Sequence, residues 1–259
     1  MITLLNGEKW QESDLLKKMD DDSFYYGHLG QYALSSSSLK KLLESPNSYR
    51  DSLRKSDDTT ALREGRLVHL AVLEKHKLDN LVVINRTRAA KEFKDAVAEH
   101  GDHMVVTQSE KDNAYWIAEA IHNNSEASYL LSDCDYEVPG VGMIQDLPFR
   151  AKADSITKDR SVIIDLKTTS AKVKDFRWTA KNFNYALQAK LYLKIFGAQE
   201  FIFLVINKFT KDIGIFNCSQ EFLEYGASDI QDAISVYQKY FLQPNSKELI
   251  RDYVIRGVL

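Results

Sequence analysis

The chain has 259 residues and a formal net charge of −3, with 44% apolar and 27% charged residues. This composition excludes a strongly basic protein that coats nucleic acid, and we find no apolar run of membrane-spanning length and no signal peptide. We therefore expect a soluble, cytoplasmic protein with no membrane association and a single domain over 1–259.

Helical patterns dominate the first half of the chain. After an N-terminal extension over about 1–31, we expect a mainly helical region over about 32–130. Apolar residues recur at helical spacing in the segments 35–44, 60–75, 88–100 and 108–123. A serine is expected to cap the first of these helices, and Pro46 is expected to end it.

Strands and helices share the second half, over about 131–259. Apolar runs bounded by turn signals predict strands over 136–144, 147–156, 160–167, 201–209 and 214–218. Helical periodicity predicts one helix over 176–197, which stops at Gly197, and a closing helix over 221–241. This order indicates an α/β fold with a mixed central sheet flanked by helices.

Charged groups are concentrated between residues 150 and 169, beside two predicted strands. Asp154 follows A-K-A, Asp165 follows V-I-I, and Lys167 completes D-L-K, so we expect these charges where core strands end. Residues two apart in a strand share a face, and therefore Asp165 and Lys167 point together. Such a group could hold a hard divalent cation beside a water molecule. Alternatively, it is a plain hairpin whose charges are solvated or form a surface salt bridge.

Two predicted helices carry polar side chains among apolar neighbours. His69 lies in the apolar stretch L-V-H-L-A-V-L, and Gln188 and Tyr192 are spaced to share one helix face. Each has an ordinary structural interpretation. The histidine could be satisfied within a core, and Gln188 and Tyr192 could be a packing pair.

Taken in chain order, these segments resemble the PD-(D/E)xK nuclease superfamily. The motifs are G-R-L-V-H ending at His69, A-D ending at Asp154, D-L-K-T-T from Asp165, and Q-A-K-L-Y from Gln188 to Tyr192. The histidine and the Q-x-x-x-Y helix are typical of the RecB-like branch. The sequences Y-A-L-S-S-S-S-L-K-K-L-L (32–43) and R-T-R-A-A-K-E-F-K (86–94) look closest to RecE (exonuclease VIII) enzymes of phages and prophages.

The resemblance implies a restriction-endonuclease-like core and a site for one or two Mg²⁺ or Mn²⁺ ions. By resemblance, the metal ligands are three side chains and one backbone carbonyl: His69, Asp154, Asp165 and Leu166. Lys167 would orient or help to deprotonate the attacking water and stabilise developing charge. Gln188 and Tyr192 would hold DNA or support the metal site.

Two other acids are weaker candidates for this site. Glu74 lies roughly 140° from His69 around a helix of 3.6 residues per turn, which favours a structural or supporting role. Glu137 lies at the start of a predicted strand and could point into the cleft as a third acid.

The two cysteines, Cys134 and Cys218, exclude one branch of the superfamily. Some RecB-like nucleases bind an iron–sulfur cluster through four cysteines, and two thiols are too few for such a cluster. Their spacing also lacks the C-x-x-C pattern of zinc sites. We therefore expect no iron–sulfur cluster and a reducing compartment.

DNA binding would require a local basic surface, because the net charge does not supply one. Basic residues in two segments are candidates to contact phosphate: Arg63, Arg66, Arg86, Arg88, Lys91, Lys94, Lys172, Lys174, Arg177 and Lys181. The helix start at Ser35, with Lys40 and Lys41 behind it, could bind a terminal phosphate. The ordinary alternatives are solvated charges and a simple serine cap.

Resemblance to RecE implies an exonuclease that digests double-stranded DNA from its ends in the 5′→3′ direction and leaves a 3′ single strand. It also implies a single-strand annealing protein as partner, a homo-oligomeric ring, and a phage or prophage protein acting in a bacterial host. Two alternatives remain at this stage. One is a different PD-(D/E)xK endonuclease, and the other is a non-catalytic protein that binds DNA ends.

Overall fold

The computed structural model describes residues 1–54 and 59–257, and in it helices cover both faces of a five-stranded sheet. The strands are β1 (Ile2–Thr3), β2 (Lys9–Trp10), β3 (Val82–Ile84), β4 (Val105–Thr107), β5 (Cys134–Ile144), β6 (Leu147–Thr157), β7 (Val162–Thr169), β8 (Glu200–Asn207) and β9 (Ile213–Asn217). The α-helices are α1 (Glu12–Lys18), α2 (Leu29–Tyr32), α3 (Ser36–Glu44), α4 (Pro46–Ser52), α5 (Thr60–Leu73), α6 (Lys75–Asp79), α7 (Lys91–His100), α8 (Gln108–Asn123), α9 (Ser125–Leu131), α10 (Phe176–Asn182), α11 (Tyr185–Phe196), α12 (Gln220–Phe241) and α13 (Ser246–Arg251).

The main sheet has the strand order β5-β6-β7-β8-β9. Strands β7 and β8 are parallel, and the other neighbours are antiparallel. Parallel neighbours need a crossover connection, and α10 and α11 supply it between β7 and β8. The mixed central sheet flanked by helices, predicted from the sequence, is therefore confirmed.

Two apolar cores lie on opposite faces of this sheet. Side chains of β8 alternate between them, because Phe203 packs with α11 and α12 whereas Leu204 packs with α5 and α8. A third, smaller cluster joins the N-terminal segment to β5 through Leu15, Leu29 and Val141. No helix in the described part of the chain is long and apolar enough to cross a membrane.

Most predicted elements occur within a few residues of their expected bounds. Helix α8 starts and ends as predicted, and Thr107 and Glu110 close a capping box at its start. Ser35 caps α3 as expected, and Pro46 ends that helix by starting α4. The predicted helix over 88–100 begins only at Lys91. The short strands β1 to β4 were not predicted, because two or three residues are too few to show a period.

The predicted single helix over 176–197 is wrong. The chain forms α10 and α11 instead, and Asn184 between them has left-handed backbone angles of φ 49° and ψ 48°. Asparagine tolerates this conformation better than most residues, so the break occurs without disturbing the apolar pattern. Gly197 ends α11 in the left-handed conformation, as predicted.

Candidate active site

Strand β7 brings Asp165 and Lys167 to the face that α11 covers. The Lys167 Nζ lies 2.6 Å from Asp165 Oδ2, and the side-chain amide of Gln188 donates a 2.6 Å hydrogen bond to Asp165 Oδ1. Asp165 is only 1% exposed. The expectation that these charges lie where a strand ends is wrong, because β8 continues to pair with β7 as far as Thr169. The simple surface salt bridge is excluded by this burial.

The ion pair remains charged at neutral pH. Burial raises the pKa of Asp165 to about 6, while the ammonium of Lys167 opposes the rise. Burial would lower the pKa of Lys167, but the carboxylates of Asp165 and Asp154 outweigh it and keep that pKa above its ordinary value. In the metal-free protein Lys167 is therefore a proton donor and a source of positive charge, a point that the sequence left open.

Asp154 of β6, Leu166 of β7 and His69 of α5 form a second group beside the first. The backbone N–H of Leu166 donates a 2.8 Å hydrogen bond to Asp154 Oδ2. His69 of α5 places Nε2 2.8 Å from the Leu166 carbonyl oxygen and Nδ1 3.5 Å from Asp154 Oδ2. Since α5 and α11 cover opposite faces, the β7 backbone lies between His69 and Gln188. The predicted motifs therefore meet in one place.

Glu137 joins this second group, whereas Glu74 does not. Ligand atoms of His69, Glu137 and Asp154 all lie within 4.8 Å of one another. Burial, and secondarily the charge of Asp154, raises the pKa of Glu137 to about 8. Glu74 caps the end of α5 and forms a 2.7 Å ion pair with Lys77. Carboxylates with one imidazole suit a hard divalent cation, so the donor set fits a metal site.

Tyr192 and Gln188 have different surroundings although they share α11. Gln188 contacts the carboxylate of Asp165, whereas the buried ring of Tyr192 contacts Phe196 and Phe201 and its hydroxyl lies near the carboxylates of Asp165 and Asp154. Burial raises the pKa of the Tyr192 hydroxyl well above its ordinary value. The geometry gives Gln188 a direct contact with the predicted site and Tyr192 a place in the core beside it.

Sequence reasoning missed Tyr185, which links Lys40 of α3 to the site. The Lys40 Nζ lies 4.8 Å from the centre of the Tyr185 ring, and the Lys167 Nζ lies 5.1 Å from the same centre. Burial, and then the nearby charge of Lys167, lowers the pKa of Lys40 to about 7. Tyr185 stands three residues before Gln188, so the shared helix face was the available signal.

Lys40→Met tests whether the charge of this amine destabilises the folded protein and contributes to binding the anionic DNA backbone. Below pH 7 the folded parent carries a buried charge that the unfolded chain solvates freely, and this cost falls as pH rises from 7 towards 10.5. We expect the free energy of unfolding of the variant, measured by urea denaturation, to exceed that of the parent by about 1–3 kcal/mol at pH 6 and by less at pH 9.5. Its affinity for duplex DNA at pH 6 should fall.

Lys41→Met is the matched control for this experiment. Lys41 forms a 3.0 Å ion pair with Glu44 on the surface of the same helix. Its removal should change stability by less than about 1 kcal/mol at either pH. Equal gains in stability by the Lys40 variant at both pH values would contradict the expectation.

Several of the predicted basic residues are held by neighbouring groups within the fold. Arg88 is held by Glu110 at 2.7 Å and Asp102 at 3.2 Å, so it fastens α8 to the preceding segment. Arg66 donates a hydrogen bond to the His103 carbonyl. Arg63 and Arg86 bond to nearby groups of their own segments. The remaining candidates are exposed: Lys91, Lys94, Lys172, Lys174, Arg177 and Lys181.

The sequence profile of a PDDEXK-like domain of unknown function (DUF3799) matches residues 35–245, which include every residue of the site. The chain belongs to this family. Its sheet, crossover helices and buried Asp-x-Lys strand are those of the PD-(D/E)xK fold, as the sequence predicted. No curated protein matches the sequence.

Solved structures with this PDDEXK-like fold include a candidate exonuclease from Eubacterium rectale, at 17% identity and a TM-score of 0.62. That likeness covers 92% of this chain and 95% of the other, and at this identity it shows the fold alone. An alkaline exonuclease from Laribacter hongkongensis matches at 10% identity over 88% of this chain and 100% of its own, with a TM-score of 0.41. A phage-related exonuclease from Haemophilus somnus matches at 13% identity over 82% of this chain and 97% of its own, with a TM-score of 0.34.

Proposed function

We propose that the protein is a divalent-metal-dependent deoxyribonuclease that digests double-stranded DNA from its ends. The observation that carries the proposal is the geometry around Asp165, whose buried carboxylate is held by Lys167 and Gln188 beside Asp154 and His69. Membership of a PDDEXK-like family supports the same chemistry. The name of the Eubacterium rectale structure supports an exonuclease in particular.

In this proposal the metal ligands come from β6, β7 and α5. They are three side chains and one backbone carbonyl: His69, Asp154, Asp165 and Leu166. A bound Mg²⁺ or Mn²⁺ would lower the pKa of water and neutralise charge on the phosphodiester. The His69 ligand suits Mn²⁺ more readily than Mg²⁺.

The remaining residues act on the water and the phosphate. Lys167, being an ammonium, orients the attacking water and stabilises the charge that develops on phosphorus-bound oxygens. Gln188 fixes Asp165 by donating to Oδ1, and Tyr192 supports α11 from the core. Lys40 lies on the Tyr185 side of the site, and it and the Ser35 start of the same helix would bind DNA phosphate.

The finer proposal is a RecE-type enzyme. It would digest in the 5′→3′ direction, leave 3′ single strands for a single-strand annealing protein, and form a homo-oligomeric ring around DNA. These properties follow the sequence resemblance, as does a role for a phage or prophage in the bacterial cytoplasm. A monomer in light scattering would count against the ring.

The test compares linear duplex DNA with covalently closed circles in Mg²⁺ or Mn²⁺, using the parent protein and Asp154→Asn. We expect the parent to release acid-soluble nucleotides from linear DNA only, and the variant to release at least about 10³-fold less, since it weakens the metal site. A 5′ or 3′ end label gives the direction. Cleavage of circles would favour an endonuclease, and end binding without any release would favour a non-catalytic protein.

A further inference from the structure

Among the residues that the structure describes, Glu137 has no counter-ion. Its carboxylate makes no hydrogen bond or ion pair with any residue in the ranges 1–54 and 59–257. The lysines that face it are already engaged by other acids. Lys152 is 2.8 Å from Asp22, and Lys77 is 2.7 Å from Glu74.

The backbone turns Glu137 towards Asp154. Strands β5 and β6 keep one register from Cys134–Thr157 to Ile144–Leu147, and the ladder is interrupted where Glu137 faces Asp154. At that point Glu137 has a left-handed φ of 51°. This conformation costs a residue with a side chain about 1–2 kcal/mol, and an ionised Glu137 would repel the carboxylate of Asp154 that it faces across the strands. A cation between the two carboxylates would offset both costs.

His69 presents a lone pair to the same space. A carbonyl oxygen only accepts hydrogen bonds, so the 2.8 Å contact with Leu166 places the proton on His69 Nε2. In the neutral ring, Nδ1 then carries a lone pair 3.5 Å from Asp154 Oδ2. Two electron-rich atoms at that distance favour a cation bound by both.

We infer that Glu137 is a fourth side-chain ligand of the catalytic cation, in addition to His69, Asp154 and Asp165, and that His69 binds this cation through Nδ1. The inference rests on the proposed function. Carboxylate oxygens are the ligands that hard divalent ions prefer, and the single imidazole directs the site towards Mn²⁺. Glu137 approaches from β5, on the opposite side of β6 from Asp165 on β7, so it adds a ligand that the D-x-K motif does not contain.

The experiment measures Mn²⁺ binding to the DNA-free protein by titration calorimetry, with thermal unfolding in EDTA and in MnCl₂. Glu137→Gln keeps the size of the side chain and removes its charge. We expect its Mn²⁺ affinity to fall at least about 10-fold, because a charged oxygen ligand is lost. Its Tm in EDTA should equal or exceed that of the parent, which shows that the variant is folded, while its rise in Tm with MnCl₂ should be smaller.

Two further variants separate the outcomes. Glu74→Gln removes a neighbouring acid that Lys77 engages, and it should bind Mn²⁺ like the parent. Asp154→Asn should lose most of the binding. Loss of binding by Asp154→Asn with parental affinity in Glu137→Gln would overturn the Glu137 inference and leave the proposed function standing. A parent protein that binds no Mn²⁺ would overturn both.

Discussion

Asp165→Asn is expected to abolish nucleotide release and to destabilise the fold. The carboxylate is 1% exposed and is the ion-pair partner of Lys167 at 2.6 Å. Removing its charge leaves a largely buried ammonium with no carboxylate in direct contact and only the nearby charge of Asp154, a change that costs about 3–5 kcal/mol. Because Asp165 is a proposed metal ligand, we expect the rate to fall at least about 10³-fold, or about 4 kcal/mol of activation free energy. Nucleotide release and urea denaturation measure the two effects.

A double variant separates catalysis from stability. Asp165→Asn combined with Lys167→Met removes both charges, so most of the lost free energy of unfolding should return. Activity should not return, because the ligand and the ammonium are both missing. Restored stability with absent activity would establish a catalytic role for the pair. Nucleotide release by the folded double variant at the parental rate would refute it.

Gly226→Ala is expected to be among the most destabilising single substitutions. A Cβ at Gly226 of α12 would overlap the carbonyl group of Ala186 and would lie 2.9 Å from the backbone nitrogen of Leu187 in α11. Because backbone atoms cannot rotate away, the helices must separate, at a cost of about 3 kcal/mol. Denaturation in urea should show this loss.

The same substitution should also reduce activity, although Gly226 lies outside the site. Helix α11 carries Gln188, whose amide holds Asp165, and a displacement of about 1 Å can lower a rate by about 10²-fold. Gly65→Ala in α5 is the matched control for stability. Its Cβ would meet nothing closer than Thr168 Oγ1 at 3.8 Å. The higher helix propensity of alanine should therefore raise the free energy of unfolding by about 0.5–1 kcal/mol. A parental free energy of unfolding for Gly226→Ala would contradict the close-contact argument.

The parts of the site that follow from strand alternation could be predicted from the sequence. Asp165 and Lys167 share a face because they are two apart, and the apolar run before them places their strand in the core. The resemblance to PD-(D/E)xK nucleases then predicted that Asp154, His69 and Gln188 share one site with this strand. These residues do meet, although their roles stay predictions until activity is measured.

The parts that depend on tertiary contacts could not be predicted. Lys40 reaches the site because α3 packs against α11, and Tyr185 lies between it and Lys167. Glu137 itself has a left-handed φ, which turns its side chain towards Asp154. The alternation of apolar and polar residues in the sequence does not reveal such a conformation. Asn184 splits a helix whose apolar spacing continues across the break. Local sequence patterns specify which face of a helix or strand a residue occupies. These features depend instead on how the helices and strands pack against one another.

The pairing of β6 with β7 has a consequence for how the protein folds. These strands pair only at Ser155–Ile164 and Ile156–Ile163, whereas β5 pairs with β6 along a hairpin and β7 pairs with β8 along its full length. A hairpin closes a short loop, but the β7–β8 ladder must wait for its crossover helices. We therefore expect two preformed halves to dock late, along the line between Asp154 and Asp165. Contacts that form after the rate-limiting step of folding mainly affect the rate of unfolding. A cation bound across this line would therefore lengthen the lifetime of the native state more than it would speed refolding.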